Sequence, residues 1–354
     1  MDLNNTIFSF LLLLLAYFFK EYFLSILKKN NLSILIDNQF KKPQAFHENP
    51  TFRLGGSIFF VLLSFVFLYL FFLENILLVE YIFFSVLFFF LGLLDDLKIN
   101  IKPKFRLLIM IVFLITLVIY NNFYITKSGL NFLDNLLKND IFALFFICLC
   151  FLFIINGANL IDGFNGLLGI HASIIFIILF IINLVNGNNE LAYILFYISL
   201  LTLFFLKFNF PKAQIFLGDS GAYLIGTLIS VSVIKTSILI PSISPFFFCV
   251  MLFYLFFEVF FSFIRKISTE KRSPLFPDHK HLHMLIYKYF LKKNNDKLKS
   301  NYSVSVVLNS FYLIFILPAI FMMENGIFCK YYSIILLTTY LLSYKIIYEK
   351  TKKI

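Results

Sequence analysis

Long apolar stretches separated by short polar ones account for most of the chain. Runs long enough to cross about 30 Å of hydrocarbon as helices fall near residues 6–27, 54–73, 76–94, 107–124, 141–160, 167–185, 190–207, 217–236, 244–264, 304–323 and 330–348. The pattern predicts an all-α integral membrane protein, a polytopic bundle of about 10–11 transmembrane helices. No basic residue precedes the first run, Lys20 and Glu21 interrupt its end, and no small-residue cleavage pattern follows. That run is therefore expected to stay as a span rather than serve as a signal peptide.

Composition agrees with this picture. The chain is 60% hydrophobic and only 14% charged, with a mean hydropathy of +0.90, well beyond an ordinary soluble domain. The 52 Phe and the absence of Trp suit lipid-facing helices, which accept any large apolar side chain. Phe, Ile, Lys, Asn and Tyr are also the products of A/T-rich codons, a hint of a bacterial source. Cys148 and Cys150 share one predicted span, and Cys249 and Cys329 are far off in sequence, so no disulfide or thiolate metal framework is expected.

A net charge of +11 raises the question of nucleic acid, but the placement of the basic residues answers it. Of the 30 Lys and Arg, only Lys127, Lys138, Lys235 and Lys330 fall in one set of alternate loops, and Lys20 lies within the first run. The others crowd the opposite loops. This asymmetry follows the positive-inside rule and predicts an external N-terminus and a cytoplasmic C-terminus. Nucleic acid binding is not needed to explain the charge.

The same side carries every unusual polar cluster: FHENPTFRLGG at 46–56, GLLDDLKINIKPKFR at 92–106, NGANLIDGFNGLLG at 156–169, FNFPKAQIFLGDSG at 208–221 and RSPLFPDHKHLH at 272–283. A carboxylate at membrane depth costs about 2.5–3.5 kcal/mol on insertion scales, so Asp219 asks for a role. It is fenced by Gly218 and Gly221, and the early amides of its helix are expected to face an anion. Asp95 and Asp96 point about 100° apart on a helix, which suits two separate tasks or, in part, a solvated helix end. Asn156, Asn159, Asp162 and Asn165 recur at every third position beside Gly163 and Gly166, a fan that reads as a helix unwinding around a wet cavity or as a loop of capping residues. Hard divalent cations take oxygen ligands, and Mg²⁺ accepts one or two carboxylates plus substrate phosphates. Lys98, Lys102, Lys104 and Arg106 stand ready for phosphate or serve only the inside-positive signal. His281 and His283, with His279 nearby, would share a face if extended. Zinc finds no thiolates there and no HExxH pattern. Gathered at one membrane face, these groups describe a magnesium-dependent enzyme of phosphate ester or diphosphate chemistry. A transporter, the different class in contention, would more often place its polar groups at the midplane of related halves.

Five motifs in order, HENPTFRLGG, GLLDDL with KPKFRLL, NGANLIDGFNGLLG, FLGDSGAYLIG and PDHKHLH, make residues 35–285 resemble the polyprenyl-phosphate N-acetylhexosamine-1-phosphate transferases. That superfamily includes the phospho-N-acetylmuramoyl-pentapeptide transferases. The resemblance implies a single transmembrane catalytic domain over 1–354, with a cytoplasmic loop at 265–303, in a bacterial inner membrane. It implies transfer of a sugar 1-phosphate from a UDP-N-acetylhexosamine to undecaprenyl phosphate, with release of UMP and formation of a lipid-linked diphosphate sugar for a cell-surface glycan. Carried over by position, Asp95, Asp96 and Asp219 are the catalytic candidates. His47, Lys104, Asn156, Asn159, Asp162, Asn165, His281 and His283 are the substrate-binding ones. Asp219, Asp95 and Asp162 are the ligands of Mg²⁺, with Mn²⁺ as a substitute. The other partners are membrane lipids and a second copy of the chain in a homodimer. Met284 stands where the family usually has another histidine, His279 lies at a usually basic position, and Gln214 and Ala222 differ from the common lysine or arginine and serine. The PDHKHLH loop favours a simple UDP-N-acetylhexosamine over the muramoyl-pentapeptide donor. A single in-line displacement is expected, the rival being an aspartyl-phosphate intermediate.

Overall fold

The computed structural model describes residues 3–29, 36–37, 50–99, 101–271, 273 and 278–352. Ten of the predicted runs are single helices: α1 (Leu3–Lys29), α2 (Gly55–Leu73), α3 (Val79–Asp96), α4 (Pro103–Asn121), α6 (Asp140–Ile161), α7 (Leu167–Val185), α8 (Asn189–Asn209), α9 (Gly218–Leu239), α13 (Lys297–Phe321) and α14 (Gly326–Lys352). Their ends follow local chemistry. Pro103 opens α4, where its missing N–H costs nothing. Asn139 caps α6 by accepting from the amide of Phe142, and Asp296 caps α13 by accepting from that of Lys299.

The eleventh run is broken. Residues 244–264 form α10 (Pro245–Met251) and α11 (Phe253–Ser268), bent by 76° at Leu252. Among the described residues, nine helices are long and apolar enough to cross a membrane, and the bent pair counted as one span makes ten. The remaining expected span, α3, is 18 residues long but carries Glu80, Asp95 and Asp96, and so is not among those nine. The protein is an all-α, multi-pass membrane protein. Two short elements were not expected, α5 (Asn131–Leu136) and α12 (Leu282–Asn294), and neither is a span. A small sheet was not expected either: β1 (Ile36–Asp37), β2 (Thr51–Arg53) and β3 (Ile215–Phe216), in the order β1-β2-β3. β1 and β2 are antiparallel, whereas β2 and β3 are parallel, with Phe52 opposite Ile215 and Arg53 opposite Phe216.

Helix α9 is the axis of the bundle. It touches α2, α3, α6, α7 and α8 and is buried along almost its whole length. Helices in lipid associate through close packing rather than through a hydrophobic drive, so small residues mark their contacts. A Cβ on Gly92 of α3 would lie 2.5 Å from the carbonyl oxygen of Asp219 and 2.5 Å from the Cα of Ser220. One on Gly226 would lie 2.8 Å from the Cα of Ile155 in α6. The rim of the bundle is left to lipid: Phe10, Phe72, Ile141, Phe145, Phe321 and Ile327 are all exposed. Gly92→Ala is expected to lower the melting temperature of the detergent-solubilised protein, by the ~1–3 kcal/mol that overpacking costs. Gly326→Ala, where the added carbon meets Ser244 Oγ at an ordinary 3.5 Å, should leave it unchanged. Equal melting of both variants with the parent would remove the close α3–α9 approach.

Candidate active site

The polar clusters converge where α3 and α6 end and α9 begins. The two neighbouring aspartates of α3 do face different ways. Asp96, 1% exposed, accepts the amide of Asp219 at Oδ1 and that of Ser220 at Oδ2, each at 2.9 Å. Asp95 pairs instead with Arg106 of α4. The early amides of α9 thus face an anion, as expected, and that anion is a carboxylate of the chain itself. Gly218 lets this happen: its φ is +78°, and a Cβ there would sit 2.7 Å from Asp96 Oδ2.

The Asp219 side chain is 27% exposed and stays open to the site. Arg53 Nη1 lies 3.8 Å from Asp219 Oδ2 and 3.8 Å from Asp96 Oδ1. Asp37 holds the same guanidinium, at 2.6 Å from Nη2 and 3.1 Å from Nε. The parallel pairing of β2 with β3 brings Arg53 there. Sequence reading passed over Arg53 as one basic residue in a loop. Arg106 stacks over Tyr223, with 5.8 Å from its guanidinium carbon to the ring centre, while Lys104, two positions away and about 200° around the helix, is exposed.

The fan of four divides. Asn159 donates to the hydroxyl of Tyr223 at 3.3 Å and reaches Asp219. Asp162 caps the C-terminus of α6; burial, together with the charges of Asp219 and Asp96, raises its carboxyl well above the ordinary range against the pull of Arg53. Asn156 donates back to the carbonyl of Leu152 at 2.7 Å. Asn165 is a girder: it donates to the carbonyl of Pro211 at 2.9 Å, its amide donates to Asn301 at 2.8 Å, and its carbonyl accepts from Ser305 at 2.7 Å. Asn159 and Asp162 therefore face the carboxylates, and Asn156 and Asn165 hold the backbone.

His281 and His283 lie at the head of α12, with parallel rings 5.4 Å apart. His281 is the extended N-cap and His283 already helical, so they share a face without the extended segment that was expected. His283 is fully buried; its Nδ1 lies 3.1 Å from the hydroxyl of Tyr254, and among the described residues its Nε2 has no hydrogen-bond partner. Burial holds this imidazole low, at about 3, so the ring is neutral. Its centre is 5.7 Å from the ring of Phe164, which ties it to the turn that follows Asp162. Asp278 is held down at about 2: burial alone would raise it, but His281, the amide of Lys280, Arg265 and Lys266 outweigh that. Met284 is 1% exposed in the core, and His279 is exposed. His47 lies outside the described residues. Glu258, 1% exposed and bonded to His281, was also passed over, although a lone acid in the apolar run FYLFFEVFF poses the same question as Asp219.

Every group around Asp219 is an oxygen or amide donor, or a cation for anionic oxygens, so the set is of the kind that Mg²⁺ prefers. Among the described residues, no three His, Cys, Asp or Glu side chains gather closely enough to hold a metal ion by themselves. A site that takes one or two carboxylates and completes the shell with phosphate and water has no such need.

Residues 78–237 match the sequence model of the family described as Glycosyl transferase family 4. The chain is 30% identical over 203 residues to the undecaprenyl-phosphate alpha-N-acetylglucosaminyl 1-phosphate transferase of Thermotoga maritima, a match covering 56% of this chain and 58% of the relative. It is 31% identical over 201 residues to the phospho-N-acetylmuramoyl-pentapeptide-transferase of Dictyoglomus turgidum, covering 54% and 64%. The enzyme of that name from Dictyoglomus thermophilum is 31% identical over 242 residues, covering 65% and 74%. The chain thus spans under two thirds of the first two relatives and about three quarters of the third. By this similarity, the chain belongs to glycosyl transferase family 4.

Proposed function

We propose that the protein transfers N-acetylhexosamine 1-phosphate from a UDP-N-acetylhexosamine to undecaprenyl phosphate, releasing UMP and leaving a lipid-linked diphosphate sugar that starts a cell-surface glycan. The observation that carries this reading is the convergence of Asp95, Asp96, Asp162 and Asp219 with Arg53 and Arg106 at one end of the bundle. Such a site combines carboxylates for a cation with cations for phosphate, next to apolar surface for a lipid. The printed names of the relatives supply the substrate class. The whole chain would act as one catalytic unit in a bacterial inner membrane, with its site at the cytoplasmic face. Counting α3 and the bent pair as crossings gives eleven, which suits an external N-terminus and a cytoplasmic C-terminus.

Asp219 and Asp162 would hold Mg²⁺. Bound there, it would offset charge on the donor diphosphate and on the departing UMP. Asp162 is suited to this because burial beside two like charges leaves its carboxylate in want of a cation. Asp96 has a different part: it fixes the first turn of α9 and so aims Asp219. Asp95, held by Arg106, borders the path of the lipid phosphate. That phosphate monoester is largely dianionic at neutral pH, having a second pKa of about 6, and needs alignment more than deprotonation. Arg53 and Arg106 would steady the phosphoryl oxygens in an in-line displacement, the work that sequence position assigned to Lys104. His283 would meet the donor through its Nε2, which has no partner among the described residues. Nothing in this scheme requires a second copy of the chain.

Purified protein with undecaprenyl phosphate, Mg²⁺ and a panel of UDP-sugars should release UMP only when lipid and metal are both present. EDTA should stop the release, and Asp219→Asn should reduce it about a hundredfold or more. UMP release without lipid, or full activity of Asp219→Asn, would refute the assignment, and a response confined to the muramoyl-pentapeptide donor would move the protein to the other branch named among its relatives. Arg53→Gln should lower kcat/KM about tenfold to a hundredfold, and Lys104→Gln less than threefold, as expected for a half-buried, ion-paired contact against an exposed one. The reverse order would return the phosphate to Lys104.

A further inference from the structure

Glu258 lies on α11, outside the cluster of aspartates, and it is 1% exposed. Three donors surround it. Its Oε1 is 3.0 Å from His281 Nδ1 and accepts the backbone amide of Leu282 at 3.0 Å. Its Oε2 accepts the hydroxyl of Tyr340, from α14, at 2.6 Å. A carboxylate accepts only, so the Nδ1 that faces it carries a proton. The other nitrogen of His281 lies 3.4 Å from Asp278 Oδ1, and Arg265 Nη2 holds Asp278 at 2.9 Å. His281 is therefore gripped on both nitrogens and has none to spare, unlike His283, whose Nε2 is unpaired among the described residues. The two rings lie parallel, so the grip on His281 and on the amide of Leu282 also sets where His283 stands.

We propose that Glu258 is a positioning residue for the donor-facing His283, acting through His281 and the first turn of α12, and that Tyr340 makes α14 part of this support. α14 is remote from the aspartates along the chain and mostly exposed, yet it supports the histidine loop in two ways: Tyr340 bonds Glu258 of α11, which holds His281, and Tyr344 donates to the carbonyl of Lys280 in the loop itself at 3.0 Å. A buried carboxylate held by three donors among the described residues holds direction well, because each donor constrains the others. Glu258→Gln keeps the shape but removes the charge opposite Nδ1. Tyr340→Phe keeps the charge but frees Oε2. The proposal rests on the reading that His283 meets the donor.

The test uses the full chain in lipid nanodiscs with histidine labelled by ¹⁵N on the ring. The chain has five histidines, and the His281→Gln and His283→Gln spectra assign the two signals. Glu258→Gln should shift the ring signals of both His281 and His283 and raise the KM for the UDP-sugar about tenfold with kcat nearly unchanged. Tyr340→Phe should do the same more weakly, about threefold in KM, and Tyr331→Phe on the exposed side of α14 should do neither. Unchanged ring signals in a folded Glu258→Gln protein would overturn the proposal, as would a loss confined to kcat. Should Glu258→Gln fail to fold, Tyr340→Phe decides alone, since it leaves the carboxylate in place. Should the parent protein release no UMP from any UDP-sugar, the transferase reading fails while the ring signals still test the positioning.

Discussion

The two hydrogen bonds from the amides of Asp219 and Ser220 to Asp96 join the site to the fold. They fasten the end of α3 to the start of α9, the helix around which the others pack. A buried carboxylate is costly unless its oxygens are satisfied, and helix N-terminal amides are good partners for it because their dipoles favour negative charge. The same contact that lets Asp96 be buried also decides where Asp219 points. Gly92 and Gly218 are required by the closeness of that contact, one because the helices touch and the other because the backbone must turn with a positive φ beside a carboxylate.

Around this joint the charges are arranged by sign. Asp95 and Asp96 are each matched, by Arg106 and by amides, whereas Asp162 and Asp219 are less completely offset. Arg53 stands between Asp37 and the two carboxylates of the joint, so an arginine contributed by a two-stranded contact is the nearest fixed positive charge to Asp219. Acids less fully offset, beside well-held cations, are what the proposed metal and diphosphate would need in order to enter together. Each supplies the charge that the other lacks.

Much of this could be read from the residues alone. Hydropathy placed the helices, because lipid demands long apolar segments whatever their partners. The positions of Asp95, Asp96, Asp162 and Asp219 at span ends were equally plain, because acids in such a chain are rare. Three things stayed hidden. The bend at Leu252 has no signature, since Met251 and Phe253 are as apolar as their neighbours. Strands of two or three residues are too short to show a period, so the pairing that carries Arg53 across to β3 was invisible. The division of the Asn156 to Asn165 fan depends on Pro211, Asn301 and Ser305, which are distant in sequence. Glu258, by contrast, was visible: an acid inside an aromatic run has to be paired with something.

Met284 carries one last consequence. It is 1% exposed and belongs to the apolar core, on the first turn of α12 next to His283. An imidazole put in the place of this core side chain would lose its hydration and would need a new hydrogen-bond partner to recover it. The third histidine that the family resemblance leads one to expect at this position is therefore not a part that one exchange would restore. The apolar packing that now takes in Met284 would have to change with it.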